Sequence, residues 1–275
     1  MPQLATKDIS EPRYAPLRSA ADIAALWPGR RAAFVAAHPG HELAVLGWLT
    51  AARPLVHVLT DGSGHVGKGR ADVTAELVTS LGARIAAPFA PMSDAAIYRA
   101  MMDGDTALFC GLLDTLVESL AANGIDLVVG DAREGFNPAH DICRALIDRA
   151  AAMTADRLGR DVLNYSVRLT DWDLAVKAPH DDACVHLELS GALFEAKLAA
   201  ACAYRALGDE VARALSTGAD QFRTECLSLA SEPVTEPPHY ETVGRERVRQ
   251  GFYREALLYR AHVVPVLAAL DAHRR

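Results

Sequence analysis

Arg31-Arg-Ala-Ala-Phe-Val-Ala-Ala-His-Pro-Gly-His-Glu-Leu-Ala-Val-Leu-Gly-Trp-Leu49 passes from one apolar run to another through five residues, His38-Pro39-Gly40-His41-Glu42. The first run is short and unbroken, as in a strand buried on both faces. The second places Leu43, Leu46 and Leu49 at helical spacing, with Trp48 beside them. Pro39 suits a helix entrance, and Arg53-Pro54 stops the helix. A strand that turns directly into a helix is the building unit of an open α/β sheet, and such sheets carry their chemistry at the carboxyl ends of the strands. Across that turn His38 and His41 stand three apart and can converge on one ion, because positions i and i+3 are close once the chain is helical.

The same rhythm continues outward from this stretch. Residues 31–37, 55–60, 84–88 and 125–129 predict four strands, and 162–166 and 185–189 two later ones. Helices are expected over 40–52, 71–81, 106–122, 142–153, 191–207 and 246–270, with Gly82 and Asn123-Gly124 as stops. Together these predict an α/β domain at residues 31–205, a mostly parallel sheet flanked by helices. A lead segment at 1–30 precedes it, and a helical C-terminal extension at 206–275 packs on the same domain. Glu232-Pro-Val-Thr-Glu-Pro-Pro238 reads as an extended connector. Tyr253, Leu257, Tyr259, Val263 and Leu267 give the last helix an apolar side that packs on its own domain, closes over a pocket or forms a homo-oligomer interface.

Three strand ends deliver polar residues: His38 with His41, then Asp61, then Asp131 and His140. In a parallel sheet these ends face the same way. His65 lies in the glycine-rich loop at 62–69 and reads as solvent-facing. His57 and His186 read as strand residues, and His180-Asp181-Asp182 as a loop.

With 275 residues, 51% hydrophobic and 23% charged, the chain suits one ordinary globular core. A net charge of −7 without any Lys/Arg run argues against a nucleic-acid partner and leaves a small-molecule substrate open. The absence of an apolar signal core and of a run near the ~20 apolar residues of a membrane span predicts a cytoplasmic protein with no membrane partner. Five cysteines, an odd number with no Cys-x-x-Cys pair, read as reduced thiols serving mostly as small apolar fillers.

Several motifs, taken in order, resemble the LmbE/PIG-L superfamily of metal-dependent N-deacetylases. They are a strand followed by His38-Pro-x-x-Glu42, a strand ending Thr60-Asp61-Gly62, Arg70 opening a helix that ends Leu81-Gly82, x-Pro-x-His140 opening another helix, and Lys197-Leu-Ala-Ala200. The match spans roughly residues 31–205. It implies a Rossmann-like fold and a divalent ion, usually Zn2+, that activates water to cleave the N-acyl group of an amino sugar or related amide. By position it implies His38, His41 and His140 as metal ligands and a substrate-facing Arg70, with Asp61 a candidate beside it.

The chain also departs from that family. The usual first motif is His-Pro-Asp-Asp-Glu, whose first Asp is the general base and whose second is a ligand, where this chain has Gly40 and His41. The later motif is usually His-Pro-Asp-His, where this chain has Asn137-Pro138-Ala139-His140. Three neutral imidazoles still hold zinc, with a fourth position for water and the full ionic charge to acidify it. Imidazole also suits iron, nickel and copper, so Fe2+ stays open. Glu42, Asp131 and Asp141 are the carboxylates placed to move protons, and Asn137 can donate to an oxyanion. Glu42 has the alternative role of supporting the helix start or a ligand's second nitrogen. Two other readings stand beside a deacetylase: a divergent metal enzyme with a different reaction on a natural-product intermediate, and a non-catalytic relative.

Overall fold

In chain order the elements are β1 (Ala15–Leu17), α1 (Ala20–Ala24), β2 (Ala32–Ala36), α2 (Leu46–Ala52), β3 (Leu55–Thr60), α3 (Ala71–Ser80), β4 (Arg84–Met92), α4 (Asp94–Asp103), α5 (Thr106–Ala122), β5 (Leu127–Asp131), α6 (Pro138–Leu158), β6 (Leu163–Val167), β7 (Cys184–Leu189), α7 (Ala192–Ala203), α8 (Gly208–Ser216), β8 (Thr224–Ser228), α9 (His239–Arg249) and α10 (Val264–Ala272). The computed structural model describes residues 15–17, 19–64, 67–169, 184–216, 218–229 and 236–274. His65, His180, Asp181, Asp182 and most of the 232–238 connector lie outside the described residues.

Among the described residues eight strands form one sheet in the order β1-β7-β8-β6-β5-β2-β3-β4. All neighbours are parallel except at β8, which runs antiparallel to both β6 and β7. This is a Rossmann-like α/β architecture. β2, β3 and β5 are buried along their whole length, which explains their nearly continuous apolar sequences. Alternate residues feed two cores. Ala33, Val35, Leu59 and Val128 meet side chains of α4, α5, α6 and α10, while Ala32, Phe34, Val56 and Val129 meet α1, α2, α3, α7 and α8. From the centre the chain builds β2-β3-β4 in one direction and then β5-β6 in the other. The reversal opens a crevice between the carboxyl ends of β2 and β5, the usual place for a ligand in such sheets.

Several expected boundaries shift for identifiable reasons. The lead segment supplies β1, which pairs with β7 at the sheet edge, and α1, which Ser19 opens in a reciprocal capping box with Asp22. The segment at 206–275 is not wholly helical, because β8 enters the sheet between β6 and β7. Its sequence, Thr-Glu-Cys-Leu-Ser, is too short and polar to advertise a strand. β4 runs past residue 88 to Met92 through Pro88 and Pro91, which an edge strand tolerates because one side of its backbone has no ladder to complete. The helix α4 that follows was not anticipated, although Ser93 caps its start and Gly104 its end. At the C-terminus, α9 ends at Arg249, a π turn spans Tyr259–Val263, and α10 begins there with Pro265 in its first turn, where proline needs no amide partner. No helix among the described residues is long and apolar enough to cross a membrane.

Candidate functional site

At the end of β2 the chain cannot continue as a strand. Gly40 takes φ +105°, a conformation that side chains rarely adopt, and the expected helix opens instead as a 3-10 turn, His41–Val45, before α2. Glu42 locks this turn. It is fully buried, one carboxylate oxygen accepts the Gly40 amide at 2.7 Å, and the other accepts the Thr74 hydroxyl of α3 at 2.6 Å. Burial pushes its carboxyl up, with these two donors and Arg70 opposing.

The turn carries His38 and His41 over the crevice, and the loop after β5 brings His140 in the first turn of α6. Their ring centres are 5.3 Å apart for His38 and His41, 5.2 Å for His38 and His140, and 4.7 Å for His41 and His140. A tetrahedral ion bound about 2.0–2.1 Å from each ring nitrogen sets neighbouring ring centres about 5 Å apart, so the spacing fits a three-imidazole site.

Each Nδ1 faces a carboxylate. His38 Nδ1 is 3.0 Å from Asp94 Oδ1 and 2.7 Å from Thr60 Oγ1, while the other Asp94 oxygen accepts the Gly64 amide at 2.7 Å. His41 Nδ1 lies 3.0 and 2.9 Å from the two oxygens of Asp131, and Ala37 N–H donates to Asp131 Oδ2 at 2.7 Å. His140 Nδ1 is 3.8 Å from Glu134 Oε2, close enough for an ion pair but too long for a hydrogen bond. An ionised carboxylate only accepts, so Asp94 and Asp131 fix the proton on Nδ1 and leave Nε2 of His38 and His41 as the donor to an ion.

The electrostatics favour the neutral imidazole at His38 and His41. Burial lowers the His38 pKa to about 4 against the pull of Asp94, with His140 and His41 adding to the depression. Burial also lowers His41, despite Asp131. In the two carboxylates burial works upward and is outweighed, by His38, Thr60 and the Gly64 amide for Asp94 and by His41, His140 and the Ala37 amide for Asp131. Both are held below the usual carboxylate range.

Other residues singled out in the sequence have structural partners. Asp61 accepts the Ser63 amide at 2.9 Å in a local turn. Arg70 donates from Nε to the Pro39 carbonyl at 2.9 Å and from Nη1 to the Gly62 carbonyl, tying the β2 and β3 loops together. Asp141 Oδ1 accepts the amides of Glu134 and Gly135 at 3.0 and 3.1 Å, while Oδ2 is buried without a partner among the described residues, and burial raises the carboxyl. Asn137 caps α6 through the Ala139 amide and accepts the Tyr98 hydroxyl at 3.0 Å. Its Nδ2 stands 3.4 Å from His38 Nε2, at the edge of hydrogen-bond range.

Asp94, Thr60 and Glu134 were missed as site residues. Asp94 lies beyond the strand expected over 84–88, although Ser93-Asp94 carries an ordinary helix-start signal. Also missed was a group elsewhere on the sheet. Cys184, His186 and Cys226 have ligand atoms that all lie within 4.8 Å of one another and can hold a metal ion. The signal was the Cys-x-His spacing on a strand, which places both side chains on one face.

No protein-family model matches the chain, and no curated protein matches it.

Proposed function

We propose that the protein is a metal-dependent amidohydrolase that removes an acyl group from the nitrogen of an amino sugar or similar small amide. The reading is carried by one observation: three imidazoles meet at the sheet's switch point with ring centres 4.7–5.3 Å apart, each with Nδ1 facing a carboxylate. The order of the motifs, which resembles that of the LmbE/PIG-L superfamily, supports the same chemistry.

His38, His41 and His140 would hold the ion, with zinc the best match to a neutral imidazole set. When bound, a divalent ion supplies Lewis acidity, polarising a carbonyl and lowering the pKa of water. The chain's own groups supply position. Asp94 and Asp131 orient two of the ligands, Glu42 and Arg70 hold the loop that carries them, and the Asn137 amide donates toward the oxygen that gains charge as the amide is attacked. Of the three carboxylates expected to move protons, Glu42 and Asp131 have both oxygens engaged, whereas Asp141 keeps Oδ2 without a partner among the described residues. Asp141 is therefore the group assigned to proton transfer.

The test combines elemental analysis of the purified protein with acetate release from a panel of N-acetylated amino sugars and amides. One zinc lost in His38→Ala/His41→Ala/His140→Ala, together with turnover that this variant abolishes, is the expected result. Metal content unchanged by the triple substitution refutes the site. Asp141→Asn is expected to lower turnover by about 10² with metal retained.

A second reading rests on Gly40. A Cβ there would meet Leu207 Cδ1 at 2.4 Å, so the position of the family base is filled by a leucine. That favours a divergent, non-deacetylase reaction on the same scaffold. Iron in the site and no acetate release from the panel would select it.

A further inference from the structure

Cys184, His186 and Cys226 sit where the sheet changes direction. Cys184 and His186 are two apart on β7 and project from one face, and Cys226 on β8 is the cross-strand partner of His186. Val185, Leu187 and Leu227 point the other way, into the core shared with Phe34 and Trp48. Two thiols and an imidazole are thus gathered on the opposite face, Cys184 buried and the other two half-buried.

The location gives the cluster a task. Among the described residues β8 pairs with β7 over five residues but meets β6 through one residue pair, Ser166 with Ser228, and through the Ser166 hydroxyl donating to the Ser228 carbonyl at 3.1 Å. Cys184 is the β7 partner of that same Ser228. The three side chains therefore stand at the thinnest seam of the sheet.

The geometry points to a second metal site, a thiolate-imidazole clamp for a zinc-class ion that fastens β7 to β8 beside β6. Thiolates are soft donors, and with an imidazole they select zinc over magnesium or calcium. On binding, the two thiols lose their protons to solvent, and the two thiolate charges cancel the 2+ charge of the ion. A neutral complex suits a partly buried structural site. The His38, His41 and His140 trio leaves the ionic charge uncancelled, which suits an electrophilic one.

The test is a Co2+ titration of the metal-free full chain in reducing buffer, following thiolate-to-cobalt charge transfer in the near ultraviolet. The band is expected to appear in the unmodified protein, to saturate at one equivalent in His38→Ala/His41→Ala/His140→Ala, where the other site is gone, to bleach when Zn2+ is added, and to vanish in Cys184→Ser/Cys226→Ser. In the triple-alanine background Zn2+ should raise the melting temperature, and the two serine substitutions should remove that rise. Absence of the band in the unmodified protein overturns the clamp. So does a Cys184–Cys226 disulfide as the form isolated without reductant. The band reports the thiolates alone, so failure of the amidohydrolase reading leaves this result standing.

Discussion

Leu207 fills the space that a side chain at Gly40 would need: a Cβ on residue 40 would lie 2.4 Å from Leu207 Cδ1, and Gly40 itself sits at φ +105°. The backbone disfavours any side chain here, and Leu207 would have to shift to admit a carboxylate where the resemblance would put a base. Gly40→Asp is expected to lower the melting temperature and not to raise amide hydrolysis. The backbone strain alone costs about 1–3 kcal/mol. Leu207→Ala should relieve part of the steric cost, so the double variant should be more stable than the sum of the single effects, measured by a double-mutant cycle in urea. Additive losses would mean that the two positions are not in contact.

Asp131 lies 2.9 and 3.0 Å from His41 Nδ1 and Asp94 3.0 Å from His38 Nδ1, so in the proposed metal site each would act through its histidine. Asp131→Asn and Asp94→Asn are each expected to weaken metal affinity about 10–100-fold, measured by competition with a chromophoric chelator. Unchanged affinity with turnover reduced by about 10² or more in Asp131→Asn would instead make Asp131 a proton-transfer group.

The central fold was legible because β2, β3 and β5 are covered on both faces, and complete burial writes itself into sequence as unbroken apolar runs. Edges and insertions were not. β8 is five residues held by pairing with strands distant in sequence, and such pairing leaves little local trace. His38 and His41 could be picked out because they stand where β2 ends, whereas His140, in the first turn of α6, stands out through the x-Pro-x-His motif. Their carboxylates were less accessible, since Asp94 reaches His38 only through the detour of an edge strand interrupted by two prolines. Glu42, beside His41 in sequence, turns its oxygens to Gly40 and Thr74 instead, because the 3-10 turn rotates it into the core.

Glu225 of β8 is fully enclosed and satisfies three groups at once. It pairs with Lys197 of α7 at 2.8 Å and accepts the Gly47 and Trp48 amides at the start of α2 at 2.8 and 2.9 Å. Lys197 also donates to the Ala44 carbonyl at 2.8 Å. Removing one member of such a pair strands a buried charge, so Lys197→Met should cost about 3–5 kcal/mol in urea unfolding. Lys197→Met/Glu225→Gln should recover part of this loss, because the uncharged amide oxygen still accepts one of the two α2 amides, although its NH2 cannot accept the other. A Lys197→Met protein as stable as the parent would show that the pair does not hold α7 and β8 against α2.

Glu241 ties α9 to the turn that precedes α10. One oxygen accepts the Tyr259 amide at 2.8 Å, and the other accepts Arg245 Nε and Nη2 at 3.0 and 2.8 Å. Burial works to raise its pKa, but the Tyr259 amide and Arg245 outweigh it and hold the carboxyl below the usual range. A depressed folded-state pKa adds stability that is complete above the unfolded value of about 4.3 and is lost as pH falls through the folded value. Because the Arg245 side chain is largely exposed, the amide carries most of the effect. Glu241→Gln is therefore expected to cost about 1 kcal/mol at neutral pH and nothing once the parent carboxyl is protonated. Urea midpoints of parent and variant, compared from pH 7 downward, should converge on the acid side; a gap independent of pH would assign the loss to packing instead of charge.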